Sequence, residues 1–329
     1  MNKKRIVVIG GGTGTSVVLS GLKQTGKCEL SAIVVVSDSG GSTGRLRDEF
    51  GFLPVGDLRQ CLAALATGEH QEEVREVLLY RFSKGNGLAG HNLGNLILTA
   101  LEDLKLTPGK AIETAGQIFR IDGNVYPITE ENVNLVIEYG NGLIKIGESN
   151  LDDPKLGGQK IASIKLSPRA SIYNKAAQAI RQADLVILGP GDLYGSLLPN
   201  TLVRGFKTTL RQSRAQFVYI VNLMTHFSQT HGMTASSHVD EVVRYTGRKP
   251  DIIIINSSPI SQSVLKRYAS QKEYPVKDDL LAKNGYCIVR SDCLSQIMAK
   301  PVEGDTIPRN LLRHDGQKLA KILLHCLPR

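Results

Sequence analysis

Three glycine-rich segments carry the residues best suited to chemistry: Gly10-Gly11-Gly12-Thr13-Gly14-Thr15, Ser37-Asp38-Ser39-Gly40-Gly41-Ser42-Thr43-Gly44 and Gly189-Pro190-Gly191-Asp192-Leu193-Tyr194-Gly195-Ser196. Each follows a short apolar run: Arg5–Ile9, Leu30–Val36 and Asp184–Leu188. A single glycine loop after a buried strand often does no more than turn the chain. Three of them at strand ends suit a phosphate-bearing ligand. Glycine lets backbone N–H groups approach the oxygens, and the helix that follows adds a field favourable to an anion. The first loop breaks the dinucleotide template, because Thr15 stands where its third glycine belongs and Asp38 lies beyond the usual ~20 residues. The chain also lacks G-x-x-x-x-G-K-[ST], so a P-loop is not indicated.

Other polar residues fit around such a ligand. Asp57, in Pro54-Val55-Gly56-Asp57-Leu58-Arg59, is either a helix cap or an acid for Mg²⁺ held on phosphates. His91, Asn92 and Asn95 alternate with glycine before the apolar stretch Leu96–Leu104. They either cap that helix or read a base or sugar edge, and a general-base role for His91 is the lesser reading. Arg313 stands before the cap-like Asp315 and can clamp a diphosphate, as can Arg45, Arg47 and Arg59. Arg204, Lys207, Arg211 and Arg214 instead read as the solvated face of one helix.

The elements that must position these residues follow from apolar patterning. Strands Phe217–Val221 and Asp251–Ile255 join the three above, and helical stretches Asn200–Arg214, Ala235–Tyr245 and Ser261–Ser270 alternate with them. That alternation implies an α/β fold with a doubly wound, mostly parallel Rossmann-like sheet. Residues 57–120 read as a helical segment. Residues 125–166, with Gly140-Asn141-Gly142 between alternating runs, read as an antiparallel β insertion. The loop Leu151–Gln159 is polar and reads as exposed. One domain over 1–329 is expected.

The 329 residues carry 40 Lys+Arg against 31 Asp+Glu, a net charge of +9. Aromatic clusters for stacking bases are missing and Trp is absent, so the charge does not indicate nucleic acid. The 33 glycines exceed the roughly 23 that an average composition gives. The apolar runs are too short for a membrane span, and no cleavable leader is evident. The five cysteines are scattered without C-x-x-C, which suits a reducing cytoplasm.

The motifs Gly10–Thr15, Ser37–Gly44, Pro54–Arg59, His91–Asn95, Gly189–Asn200, Asn222–Thr225 and Arg313–Ala320, in this order, resemble the gluconeogenesis-factor family (YvcK-like), which is related to 2-phospho-L-lactate transferase (CofD-like). The resemblance implies a Rossmann-like cytoplasmic bacterial protein that binds a UDP-sugar such as UDP-N-acetylglucosamine. It implies a role in cell shape and in growth on gluconeogenic carbon sources. Arg313 would belong to the nucleotide-sugar site, together with Gly11, Gly12, Thr13, Gly14, Thr15, Asp38, Ser39, Gly40, Gly41, Ser42, Arg45, Arg59, His91, Asn92, Asn95, Gly189, Gly191 and Asn222. Cell-wall synthesis proteins and a second copy of the chain are the partners expected. The transferase branch would instead move a phospholactyl group from a guanosine diphosphate donor to a deazaflavin alcohol, with Mg²⁺ and Asp57 as its metal-binding acid. NAD binding is the third reading.

The chain departs from the family pattern in two places. Asn222-Leu223-Met224-Thr225 continues as His226-Phe227-Ser228-Gln229-Thr230 instead of a Gln-Pro-Gly-Glu-Thr type run. Asp192 and Gly195 replace the usual Ser and Thr, and Asp192 would repel phosphate. No nucleophile or base stands at a diagnostic spacing, which favours a non-catalytic binding factor over a transferase.

Overall fold

The computed structural model describes residues 3–105, 107–282, 285–296 and 312–327. β1 (Lys4–Gly10) opens the fold because Ile6, Val7, Val8 and Ile9 are apolar on both faces, as a strand covered from both sides requires. The chain turns at once into α1 (Gly12–Gln24), whose Val18, Leu19 and Leu22 return to the sheet. It continues through β2 (Cys28–Val34), α2 (Gly41–Phe50), α3 (Gly56–Leu65), α4 (Gln71–Leu79), α5 (Leu93–Lys105), α6 (Pro108–Ile118) and β3 (Asn124–Pro127). β4 (Asn134–Tyr139), β5 (Ile144–Ile146) and β6 (Ile161–Ser167) follow. The second half runs α7 (Asn174–Gln182), β7 (Leu185–Leu188), α8 (Phe206–Gln212), β8 (Gln216–Ile220), α9 (Ala235–Thr246), β9 (Ile252–Asn256), α10 (Gln262–Ser270), β10 (Cys287–Ser291) and α11 (Gly316–His325).

The main sheet has seven strands among the described residues, in the order β10-β9-β8-β7-β1-β2-β3, and each pairing is parallel. Ile6 pairs with Leu30 of β2 on one side and with Leu185 of β7 on the other. The order reverses between β1 and β7, which is the doubly wound topology. Helices join successive strands, as parallel pairing demands.

The antiparallel sheet has the order β5-β4-β6. Leu135, Ile137 and Tyr139 of β4 are buried at every second position, and the Gly140-Asn141-Gly142 turn carries β4 into β5. The insertion is narrower than 125–166 at its start. β3 takes residues 124–127 into the main sheet, where Ala32 pairs with Val125. Its alternation reflects an edge position and not an antiparallel partner.

Two further expectations are corrected. Leu151 and Leu156 are buried under the Leu151–Gln159 loop, so that loop is packed and not merely exposed. The stretch 200–214 is not one helix. A π turn (Leu193–Leu197) and a 3₁₀ turn (Leu198–Leu202) precede it, and α8 begins only after Gly205, whose φ is +94°. Pro199 and this left-handed glycine prevent a continuous helix. Of the four basic residues only Lys207 and Arg211 lie in α8, so they do not form one continuous helical face.

α11 crosses α1 closely: a Cβ on Gly21 would stand 2.0 Å from the carbonyl oxygen of Gly316. This crossing places Arg313 and His314, just ahead of α11, at the end of the sheet. Asp315 caps α11, its Oδ1 accepting the Gln317 and Lys318 N–H groups at 2.9 Å each. No helix among the described residues is long and apolar enough to cross a membrane, and all five cysteines are unbridged. Replacing Asp315→Ala is expected to cost about 1 kcal/mol, typical of a lost cap. Urea unfolding should show a lower midpoint at unchanged slope, with Asp315→Asn retaining most of the stability.

Candidate functional site

A cavity of about 530 Å³ opens at the carboxyl ends of β1, β2, β7 and β8, over the reversal of strand order. That is where open α/β sheets bind ligands, and the volume suits a nucleotide-sized molecule. Gly11, Gly12, Thr13 and Gly14 line it from the first loop, and Asp38, Gly40, Gly41 and Ser42 from the second. Pro190 and Gly191 line it after β7, Asn222 after β8, and Asp57, Arg59, Asn95 and Arg313 complete the predicted set.

The first loop must be glycine for two reasons. Gly12 has φ +61°, and a Cβ on Gly11 would lie 2.3 Å from Asp57 Oδ2. Asp57 thus lies against the loop. It sits in the first turn of α3, whose N-cap is Val55, so it is not the cap. Asn200 ties the loops together, its Nδ2 donating to the carbonyls of Gly10 at 3.3 Å and Ser196 at 2.8 Å. Asn222 Nδ2 donates to the Gly191 carbonyl at 2.8 Å.

Six predicted residues do not line the cavity, because their polar groups are spent on other contacts. Thr15 is fully buried with its hydroxyl toward the Gly11 carbonyl at 3.4 Å. Ser39 Oγ accepts the Ser149 N–H at 3.1 Å. Arg45 reaches the Ala89 carbonyl at 3.4 Å. Gly189 is the turn behind Gly191, with its N–H on the Ile9 carbonyl at 3.1 Å. His91 Nδ1 meets Ser42 Oγ at 3.2 Å, and the Asn92 N–H donates to the same hydroxyl at 3.3 Å. His91 and Asn92 therefore hold Ser42 from behind. Asn95 Nδ2 donates to Thr43 Oγ1 at 3.3 Å and its Oδ1 accepts Arg59 Nε at 2.8 Å. Arg47, too, is turned away, with its guanidinium on the Val133 carbonyl at 2.7 Å and Asn134 Oδ1 at 2.8 Å. It fastens the second loop to the antiparallel sheet.

Several lining residues escaped the sequence reading. Glu148, Ser149 and Asp152 come from the turn after β5. Their signal was the hairpin itself, which delivers the turn to the sheet end, but no local motif marks them. His226, in the departing segment, also lines the cavity. Its Nε2 stands 3.6 Å from both Asp152 Oδ1 and Glu273 Oε1, and its Nδ1 is 3.1 Å from Ser228 Oγ. Arg81, Tyr268, Leu312 and His314 are the other notable additions.

The wall is strongly acidic. Asp38, Asp57, Glu148, Asp152 and Asp192 all line the cavity, against Arg59, Arg81 and Arg313. Burial first, and then the charges of Asp38, Asp152, Asp192 and Asp57, push the Glu148 carboxyl well above the ordinary carboxylate range. Burial likewise raises Asp38, although the Gly40 N–H, Arg47 and Thr43 oppose it. Burial also raises Asp152 and Glu273, with His226 opposing in each case. Among the described residues, no group of three His, Cys, Asp or Glu side chains is arranged to hold a metal ion.

The comparisons with known proteins agree with this architecture. Residues 6–294 match the family profile described as "2-phospho-L-lactate transferase CofD". A "Putative gluconeogenesis factor" of Aquifex aeolicus is 39% identical over 99% of this chain and 98% of its own length. A "Gluconeogenesis factor" of Bacillus subtilis is 36% identical over 99% and 98%. The chain belongs to the gluconeogenesis factor family, within the CofD family. A crystal structure of a Bacillus halodurans protein superposes with a TM-score of 0.89 at 37% identity, covering 98% of this chain and 100% of that one. This family member therefore shares that protein's fold.

The acidic wall sets a pH dependence. Folded, Glu148 holds its proton to higher pH than it does unfolded, so the folded state binds more protons. Stability contributed by that proton is present near pH 4 and is lost as pH rises toward neutrality. Glu148→Gln is expected to raise the thermal midpoint by about 2 °C or more at pH 7 and to change it little near pH 4. A lower midpoint at pH 7 would contradict the crowding.

Proposed function

We propose that the chain binds a nucleotide sugar of the UDP-N-acetylglucosamine class, with Mg²⁺ on its diphosphate. We infer a cytoplasmic, non-catalytic role that links this ligand to cell shape and to growth on gluconeogenic carbon sources. One observation carries the reading: glycine-loop amides and the N-termini of α1 and α2 share a nucleotide-sized cavity with five carboxylates. The amides and helix ends attract a diphosphate. The carboxylates repel it unless a divalent cation lies between them. Asp57, beside Gly11, is the acid best placed to meet such an ion, with ligand oxygens and water completing its shell. When bound, the ion would supply positive charge to the phosphate oxygens.

Arg313 and Arg59 add donors to the same cavity. Arg59 is also bonded to Asn95 and the Leu78 carbonyl, so its guanidinium is held in place. The relatives' name, gluconeogenesis factor, supports the link to gluconeogenic growth. The family profile, described as a 2-phospho-L-lactate transferase, favours a second reading, transfer of a phosphate-bearing group; Mg²⁺ and a nucleotide diphosphate donor belong to our proposal.

Melting curves with UDP-N-acetylglucosamine, UDP-glucose, NAD and GDP esters, each with and without Mg²⁺, separate these readings. UDP-sugar at 100 times its Kd should add about 2.7 kcal/mol, only with Mg²⁺, and without turnover. Turnover of a diphosphate ester would replace the first reading with the second, and stabilisation by NAD alone would overturn both. Arg313→Ala is expected to weaken UDP-sugar binding about tenfold or more in calorimetry, as loss of a charged hydrogen bond does. Unchanged affinity would remove Arg313 from the site.

A further inference from the structure

Two hydrogen-bond acceptors on one wall of the cavity have no donor among the described residues. The first is Asn222 Oδ1, which is buried and unpartnered. Its assignment as the oxygen follows from the other end of the amide, where Nδ2 donates to the Gly191 carbonyl at 2.8 Å. The second is His314 Nε2, also buried and unpartnered, on a residue only 9% exposed. The two are neighbours through the backbone, since the His314 ring bonds the Val221 backbone and Asn222 is the next residue. Both residues line the cavity.

The His314 ring is neutral, its pKa pushed down to about 4 by burial. Its one proton is used toward the Val221 carbonyl, so Nε2 presents a bare lone pair. A buried acceptor left without a donor is costly, and of the nine buried side-chain polar atoms without a partner among the described residues only these two belong to residues that line the cavity. Leu223, Tyr268 and Leu312, which pack in one apolar cluster, line the same cavity, with Arg313 beside His314.

We propose that Asn222 and His314 form an acceptor pair that selects the hydroxyl- or N–H-bearing part of the ligand and excludes its phosphates. This rests on the nucleotide-sugar reading and orients the ligand within it. Phosphate oxygens are acceptors and are repelled by two bare lone pairs, so the diphosphate lies at the glycine-loop end. The donor-bearing end lies against β8 and the start of α11. The donor comes from the base imide, the ribose or the sugar.

The test measures calorimetric affinities, with Mg²⁺, of the full chain for UDP-N-acetylglucosamine and three probes. N3-methyl-UDP-N-acetylglucosamine removes the imide donor, the 2′-deoxyribose analogue removes a ribose donor, and UDP removes the sugar. Wild type is expected to lose tenfold or more for at least one probe. His314→Phe and Asn222→Leu should lose a similar factor for the parent ligand, and their preference for it over that probe should fall below twofold. His314→Gln, which keeps an acceptor, should preserve part of the preference. Parent affinity unchanged in both variants overturns the pair, as does one equal loss across all four ligands. Wild type that binds none of the four overturns the nucleotide-sugar reading and this inference with it.

Discussion

Everything in this molecule depends on β1 being the centre of a parallel sheet. Its Val8 and Ile9 are fully buried, and strands flank it on both sides. Because the chain leaves β1 toward β2 and later returns as β7 on the opposite side, no crossover covers the gap between those strand ends. The gap is the cavity. The loops that follow β1, β2, β7 and β8 must meet there, and close backbone approach is possible only because the first loop lacks side chains at Gly11 and Gly12.

The second constraint is charge. The protein is basic overall, yet its cavity is lined by more carboxylates than guanidinium groups. The net charge of +9 is therefore a property of the exterior and says little about the ligand. Inside, Asp38, Glu148 and Asp152 hold their protons more tightly than exposed acids do, because burial and mutual repulsion oppose their charges. A site built this way is incomplete by itself. Positive charge would relieve it, which is the physical reason for proposing a divalent cation together with a diphosphate.

The fold was legible because its strands are short apolar runs separated by helical periodicity, and that pattern survives without tertiary knowledge. The glycine loops were legible for the same reason: their composition is local. Contacts set by distant packing were not. His91 and Asn92 have the composition of ligand-reading residues, but the segment leading into α5 places them behind Ser42, where they support the loop. Glu148 and Asp152 look like ordinary residues of a surface turn, and only the pairing of β4 with β5 and β6 brings that turn to the sheet end. His314 was hidden between the better-known types of Arg313 and Asp315. His226 was noticed only as a departure, and its place between Asp152 and Glu273 needed coordinates.

The most direct measurement of the central claim is a crystal structure of the protein grown with UDP-N-acetylglucosamine and Mg²⁺. Diphosphate density is expected within hydrogen-bond reach of the Gly11–Gly14 backbone, with the ion between it and Asp57. The donor-bearing end of the ligand should lie against Asn222 and His314. Diphosphate density at Asn222 and His314, or ligand bound outside this cavity, would contradict it.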